Sequence, residues 1–247
     1  MTQKYRALIE YDGTAYCGFQ RQREEYPTVQ GELENVLQNL AQQPVTIFGS
    51  GRTDSGVHAT GQVIAFTLNW RHGAPALQRA LNANLPDDIV VLQLEITEPE
   101  FHPRFDAKRR AYVYHIYNAP VRSPLKRWHS WHVSRPLDMV AMNEAATCLI
   151  GTHDFATFGQ PPQGNNSVRQ IFRAEWQQAG AMLTFHIEAN AFLYRMVRSL
   201  VGSLKLVGEG SWQITDFKAA LVAADRHRSG TVAPAAGLYL VSVWYDD

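Results

Sequence analysis

The chain has 247 residues, of which 45% are hydrophobic and 19% are charged, an ordinary composition for a globular protein. A chain of this length can fold as one large domain or two small ones without disulfides or a structural metal. Lysine plus arginine and aspartate plus glutamate both total 23, so the net charge excludes no class of partner. The first residues have a strand pattern and no signal peptide, and basic residues interrupt the most apolar run, 189–207. We therefore expect a cytoplasmic protein without a membrane span.

Positive charge is unevenly distributed along the chain. The segment from Arg104 to Arg135 contains eight basic residues and one acid, Asp106, with tyrosines and tryptophans between them. Such a segment in a neutral protein indicates a nucleic-acid surface on one side of the molecule. Solvated strand and loop faces would give the same composition, so both interpretations stay open. The eight basic residues are Arg104, Lys108, Arg109, Arg110, Arg122, Lys126, Arg127 and Arg135.

The first half of the chain predicts alternating strands and helices. Tyr5, Ala7, Ile9 and Tyr11 fall on one face of the first strand, and Thr28 is a suitable N-cap for the first helix. The order of elements, β-α-β-β-α-β, is that of a ferredoxin-like unit. The predicted strands are 4–12, 45–49, 61–68 and 88–97, and the predicted helices are 28–43 and 75–84.

The same order of elements recurs in the second half. We therefore predict an α+β fold with two ferredoxin-like halves, residues 1–105 and 106–247. The antiparallel sheets of these halves are expected to be related by a pseudo-two-fold axis, with an active-site cleft between them. The predicted strands are 110–118, 169–178, 182–190 and 238–245, the helices are 138–150, 191–207 and 215–224, and 151–167 is a long loop.

The glycine-rich segment 49–61 lies between two predicted strands and carries one arginine, Arg52, and one aspartate, Asp54. Glycines let a backbone adopt positive φ angles and approach a ligand closely, and reactive groups are common on loops that a rigid sheet supports. The simpler interpretation is a surface turn in which Asp54 bonds to its own backbone. The stretch Gly51-Arg52-Thr53-Asp54-Ser55-Gly56-Val57-His58-Ala59 closely resembles the catalytic motif of the tRNA pseudouridine synthase A (TruA) family.

The resemblance covers nearly the whole chain. The segment 190–199 resembles the second signature of the family, in which Arg198 is the last arginine. Tyr112 matches the active-site tyrosine when the stretch 101–105, Phe-His-Pro-Arg-Phe, is aligned without a gap. The chain departs from the family pattern at Ala111, a position where the family often has a basic residue.

The resemblance implies a role for each matching residue. Asp54 is the essential carboxylate, Arg198 forms an ion pair with it, and Tyr112 stacks on the target base. A guanidinium beside a carboxylate in a closed cleft opposes the protonation that desolvation favours. An ordinary core tyrosine is the alternative for Tyr112, and a solvated helix face is the alternative for Arg198.

Further residues are expected to contact RNA. Arg52 is expected to occupy the space that the target base vacates and to hold phosphate. The segments 11–14 and 18–22 resemble the N-terminal signature of the family, which contacts RNA. A solvated helix face is the simpler interpretation for Arg195. The RNA-binding candidates are Arg52, Tyr112, Arg110, Arg21, Gln20, His58 and Arg195.

The resemblance implies isomerisation of uridine to pseudouridine in the anticodon stem-loop of tRNA, at positions 38, 39 and 40, by a homodimer. No cofactor and no metal are expected, because nothing is oxidised and no group leaves the RNA. The pair His129 and His132 lacks the additional ligands of a metal site. Whether Asp54 acts as nucleophile or base stays open. A non-catalytic RNA-binding protein and a carboxylate-dependent hydrolase of a small substrate are the alternative functions.

Overall fold

The computed structural model describes residues 2–23, 25–161 and 164–246. The chain forms two compact units, Met1–Lys108 with Leu240–Asp247, and Arg109–Tyr239. The sequence-based division at 105/106 placed the C-terminal strand in the second half, whereas its residues from Leu240 onward cluster with the first unit. Both units combine helices with a largely antiparallel sheet, so the prediction of an α+β fold is confirmed.

The first unit has the predicted β-α-β-β-α-β order. Strand β1 has neighbours on both sides, since it pairs antiparallel with β3 and with β4. Tyr5, Ala7, Ile9 and Tyr11 of β1 are buried, and the rings of Tyr5 and Phe66 stack with centroids 5.6 Å apart. The elements are β1 (Thr2–Tyr11), α1 (Val29–Ala41), β2 (Phe48–Gly49), β3 (His58–Asn69), α2 (Ala74–Asn82) and β4 (Ile89–Ile96).

The second unit contains a sheet in the order β5-β9-β8-β7, and a short strand, β6, adds to β5 in parallel. Its elements are β5 (Arg109–Asn118), β6 (Trp131–Val133), α3 (Met139–Thr147), β7 (Gly151–Asp154), β8 (Val168–Ala179), β9 (Met182–Ala189), α4 (Met196–Gly208) and α5 (Ile214–Ala223). The final strand, β10 (Leu238–Trp244), lies next to β3 in the strand order. Among the helices that the structure describes, none combines the length and the hydropathy that a membrane-spanning helix requires.

Two local predictions for the second unit differ from the structure. The stretch 151–167 was predicted as a loop, but its first four residues form β7 on the edge of the sheet. The helix predicted from Ala191 begins at Met196, because Arg195 has a left-handed backbone with φ of 59°. Asn190 Oδ1 accepts hydrogen bonds from Ala191 N and Gln170 N, so the start of this stretch is bonded to β8 and not to a helical turn.

Candidate active site

The loop that carries Asp54 begins with a network of buried polar groups. Ser50 N donates to the carbonyl of Val63 on β3 at 2.8 Å, and Ser50 Oγ donates to Gln62 Oε1 at 2.6 Å. Gln62 Nε2 in turn donates to the carbonyl of Gly51 at 2.9 Å. Ser50 and Gln62 are fully buried. Because a buried polar group without its partner is costly, these bonds fix the entry to the loop on β3.

The other end of the loop rests on the segment 12–19. Thr53 Oγ1 lies 2.7 Å from Tyr11 Oη, and Phe19 N donates to the carbonyl of Thr53 at 3.1 Å. The carbonyl of Tyr16 accepts from Gly56 N at 3.3 Å and from Ser55 Oγ at 3.1 Å. The residues on both sides of Asp54 are therefore bonded to a second piece of backbone, which limits the positions that its carboxylate can take.

Two glycines let these backbones approach each other. A Cβ at Gly13 would lie 2.0 Å from the carbonyl oxygen of Val57, and one at Gly18 would lie 2.8 Å from that of Thr53. Gly18 also has φ of 104°, which side-chain-bearing residues rarely adopt. The N-terminal signature thus includes residues that support the Asp54 loop, whereas the resemblance predicted only RNA contacts for this signature.

Asp54 itself is half-buried, between buried Thr53 and exposed Ser55. Its carbonyl accepts from Val57 N at 3.1 Å, and Gly56 completes this turn with φ of 75°. Arg52 is exposed, as a contact to RNA requires. The loop therefore presents an acidic and a basic side chain two residues apart, on a backbone that is bonded on both sides.

His58 is buried, which favours a supporting role over the predicted RNA contact. The residue is 1% exposed, and its Nδ1 lies 3.1 Å from Gly13 N and 3.0 Å from Asp12 Oδ1. The same carboxylate oxygen accepts from Thr14 N at 2.9 Å. If Nδ1 carries no proton, it accepts a hydrogen bond from Gly13 N. If Nδ1 carries a proton, it donates to Asp12 Oδ1. In either state the ring joins the start of β3 to the segment that supports the loop.

The N-terminal RNA-binding candidates differ in their surroundings. Gln20 is exposed. Arg21 Nη1 lies 2.8 Å from Glu34 Oε2, a carboxylate that is 5% exposed. Glu34 Oε1 also accepts from Ile47 N at 2.9 Å and from Gln30 Nε2 at 2.8 Å. Arg21 therefore compensates the charge of buried Glu34, which bonds to Ile47 just before β2. Much of the Arg21 side chain is exposed to solvent.

Tyr112 and Arg110 lie on β5 in the second unit. Tyr112 is 8% exposed, and its ring meets that of Phe192 edge-on, with centroids 5.0 Å apart. Arg110 Nη1 donates to the carbonyl of Asn190 at 3.1 Å. Ala111, the departure from the family pattern, is also buried, at 7% exposure. Phe192 and Asn190 both precede α4, so β5 and the start of the second signature form one packed region.

Arg198 occupies the first turn of α4. Its Nε donates to the carbonyl of Ala233 at 2.8 Å, and its own carbonyl accepts from Ala233 N at 3.0 Å. Burial raises the pKa of Tyr114, and the positive charge of Arg198 opposes that rise. A cation at a helix N-terminus is disfavoured by the helix dipole, so helix stability does not explain an arginine here.

Arg195, three residues earlier, is exposed, and its guanidinium lies 4.9 Å from the centroid of the Tyr194 ring. Its φ of 59° places it outside the helix, immediately before Met196. Arg195 and Arg198 were predicted to lie on one helix, but they have different backbone conformations and different partners. Arg198 is fixed by Ala233, while Arg195 extends into solvent.

Several proteins named tRNA pseudouridine synthase A resemble this chain over nearly their full length. That of Caulobacter vibrioides is 44% identical over 246 residues, covering 99% of both chains. That of Afipia carboxidovorans is 43% identical over 244 residues, and that of Pseudothermotoga lettingae is 40% identical over 243 residues; each covers 98% of this chain and 99% of the relative. The class is therefore that of the pseudouridine synthases, which are isomerases.

Residues 7–106 and 145–246 match the family model described as tRNA pseudouridine synthase. The chain belongs to the tRNA pseudouridine synthase family. The resemblance noted in the sequence is thus confirmed, and so is the prediction that the chain is an enzyme.

The support of the Asp54 loop can be tested at Gly13. Replacing Gly13 by alanine forces the new Cβ against the carbonyl of Val57, so we expect Gly13→Ala to lower the free energy of unfolding by about 1–3 kcal/mol, measured by urea denaturation. Gly51→Ala is the matched control, since a Cβ there has no neighbour within 4 Å among the described atoms. Equal unfolding midpoints for the two variants would contradict the close approach of the two backbones.

Proposed function

We propose that this protein isomerises uridine to pseudouridine in the anticodon stem-loop of tRNA, at positions 38, 39 and 40, with Asp54 as the essential carboxylate. Family membership supports the reaction class and the tRNA substrate. The observation that supports Asp54 is the loop itself, whose neighbouring residues are bonded to β3 on one side and to the segment 12–19 on the other. Preorganised catalytic groups of this kind avoid the cost of ordering them at each turnover.

The reaction requires two bond changes at the ribose. The N1–C1′ bond breaks, the uracil turns, and a C5–C1′ bond forms; C5 then loses its proton and N1 gains one. The atoms and electrons balance within the nucleotide, so this chemistry uses no external oxidant. Asp54 acts at the ribose, where a carboxylate can serve as nucleophile or as base. A base stacked in a helix is out of reach of such a group, so the target nucleotide leaves the stack.

Each of the other candidates has a role in this scheme. Arg198 keeps the Asp54 carboxylate ionised, because an adjacent positive charge favours the charged form of an acid. Tyr112 stacks on the target base, an interaction worth about 1–3 kcal/mol. Arg52, exposed on the same loop as Asp54, fills the space that the base vacates and holds phosphate. Arg110, Gln20, Arg21 and Arg195 contact the RNA, and His58 supports the loop from within.

The assignment of Asp54 is tested with Asp54→Asn. We expect this variant to fold and to bind tRNA, because the amide has nearly the same shape, and to form no pseudouridine. Conversion at each position is read from carbodiimide-dependent reverse-transcription stops in tRNA incubated with the variant. Wild-type protein in parallel gives the positions of the target uridines. Conversion retained by Asp54→Asn would refute the enzymatic role of this residue.

The role of Arg198 is tested with Arg198→Leu against Arg195→Leu, a matched substitution three residues away. We expect Arg198→Leu to lower the single-turnover rate by about 100-fold or more, within the range known for removal of one electrostatic interaction with a reacting group. Arg195→Leu should keep a near-normal rate with weaker tRNA binding. Because Arg198 also bonds to Ala233, the thermal midpoint of both variants is measured first. Similar rates for the two variants would exclude the ion-pair role.

We also propose that the protein acts as a homodimer in the cytoplasm, so that one tRNA lies across both subunits. The chain mass is 27.8 kDa, and sedimentation equilibrium of the dimer should give twice that value. A mass near 27.8 kDa at the concentration of the activity assay, with full activity, would contradict the dimer.

A further inference from the structure

A pocket of about 510 Å³ opens on the second unit, and neither Asp54, Tyr112 nor Arg198 lines it. Three basic residues line it, Arg122, Lys126 and Arg127, together with the aromatic side chains of Tyr117 and Trp131. No carboxylate is among the described residues of its lining. In a protein with zero formal net charge, this concentration of positive charge in one cavity calls for a ligand of opposite charge.

The segment that carries these cations has a defined conformation. A short 3-10 turn at Pro124–Lys126 ends with hydrogen bonds from His129 N and Ser130 Oγ to the carbonyl of Lys126, at 3.1 and 2.9 Å. Beyond it, β6 pairs in parallel with β5, and Trp131 lies opposite Ile116. The backbone of this segment is therefore bonded in place, while the three basic residues are exposed.

Within the described part of the chain, none of these three cations is in an ion pair. Lys126 Nζ lies 5.8 Å from the centroid of Tyr117, and the guanidinium of Arg127 lies 4.9 Å from that of Trp128. Aromatic faces attract cations without neutralising them. The positive charge of the pocket thus remains available to a ligand.

The positive surface continues beyond this pocket. A second depression of about 340 Å³ shares Trp131 and adds exposed Arg135. Its other charges compensate each other, since Lys205 Nζ lies 2.6 Å from Glu209 Oε1. Among the described residues, Arg135 is in no ion pair either, so cations without an acidic partner there extend from Arg122 to Arg135, with aromatic rings along the segment. A small anion would need only one of these sites, whereas an RNA strand carries negative charges spaced along a chain.

We propose that this pocket binds the phosphodiester backbone of tRNA, with a nucleobase against the ring of Tyr117 or Trp131. Basic grooves with aromatic side chains bind RNA strands in this way, through salt-dependent phosphate contacts and sequence-tolerant stacking. The proposal rests on the proposed function, because that function supplies the tRNA. It adds a second binding surface for the same substrate, built from the segment 117–135.

The charge contribution is tested with the triple variant Arg122→Ala/Lys126→Ala/Arg127→Ala. The control, Arg71→Ala/Lys218→Ala/Arg228→Ala, removes the same number of exposed cations from elsewhere in the chain. The probe is fluorescently labelled unmodified tRNA, and the Kd is measured by anisotropy over a series of salt concentrations. We expect the pocket variant to raise the Kd about tenfold or more, and to reduce the slope of log K against log salt by about 1 for each phosphate that the variant no longer binds. The control variant should change neither quantity by a comparable amount.

The aromatic contribution is tested with Tyr117→Leu in the same assay. Removal of the stacking ring should raise the Kd about fivefold or more and leave the salt slope unchanged, because stacking releases no counterions. A normal Kd for this variant, if Trp131→Leu also binds normally, would refute the stacking of a base in the pocket.

The results also separate this pocket from the catalytic assignment. If the triple variant binds tRNA like its control, with the same salt slope, the pocket proposal is overturned, whatever Asp54→Asn shows. Inorganic phosphate that binds wild-type protein but not the triple variant, with equal tRNA affinities, would reveal a small-anion site and also overturn it. If instead the triple variant loses tRNA binding while Asp54→Asn converts normally, the pocket stands and the catalytic assignment falls.

Discussion

The close approach of two backbones, 12–19 and 53–57, is the constraint on which the Asp54 loop depends. Glycine at position 13 leaves room for the carbonyl of Val57, and glycine at position 18 leaves room for that of Thr53. Because the two segments meet through their main chains, the side chain of Asp54 stays half-exposed while the backbone beneath it is fixed.

Buried polar groups complete this support. The groups concerned are at most 5% exposed: Ser50, Gln62, His58 and Glu34. Ser50 donates to Gln62, which in turn donates to the carbonyl of Gly51 in the loop. His58 bonds to Gly13 N in the supporting segment, and Glu34 accepts from Ile47 N just before β2. Burying such groups costs free energy unless every partner is in place, so the network favours one arrangement over nearby alternatives.

Several elements of the first unit could be predicted from its sequence, because the signals that mark them are local. The alternation in β1 and the Thr28 cap both follow from short-range chemistry, and the cap bond to Gly31 N is present at 3.2 Å. The start of α4 and the edge strand β7 could not be predicted, because both depend on contacts with other segments of the chain. Tyr194, just before α4, exchanges backbone hydrogen bonds with Gln160, and β7 exists only as a partner of β8. At the candidate site, the motif predicted Asp54. The burial of His58 could not be predicted from the motif, because its partners Gly13 and Asp12 lie in another part of the sequence.

The charged residues of this protein differ in whether the fold itself compensates their charge. Glu34 is buried and has three hydrogen-bond donors, so its charge is compensated internally. Arg122, Lys126 and Arg127 are exposed, and surface charges of this kind contribute little to folding even when paired, about 0–1 kcal/mol. Their positions are therefore not explained by the free energy of folding. A strand of phosphates would explain them, because each cation that meets a phosphate releases a counterion, and that gain exists only in the complex.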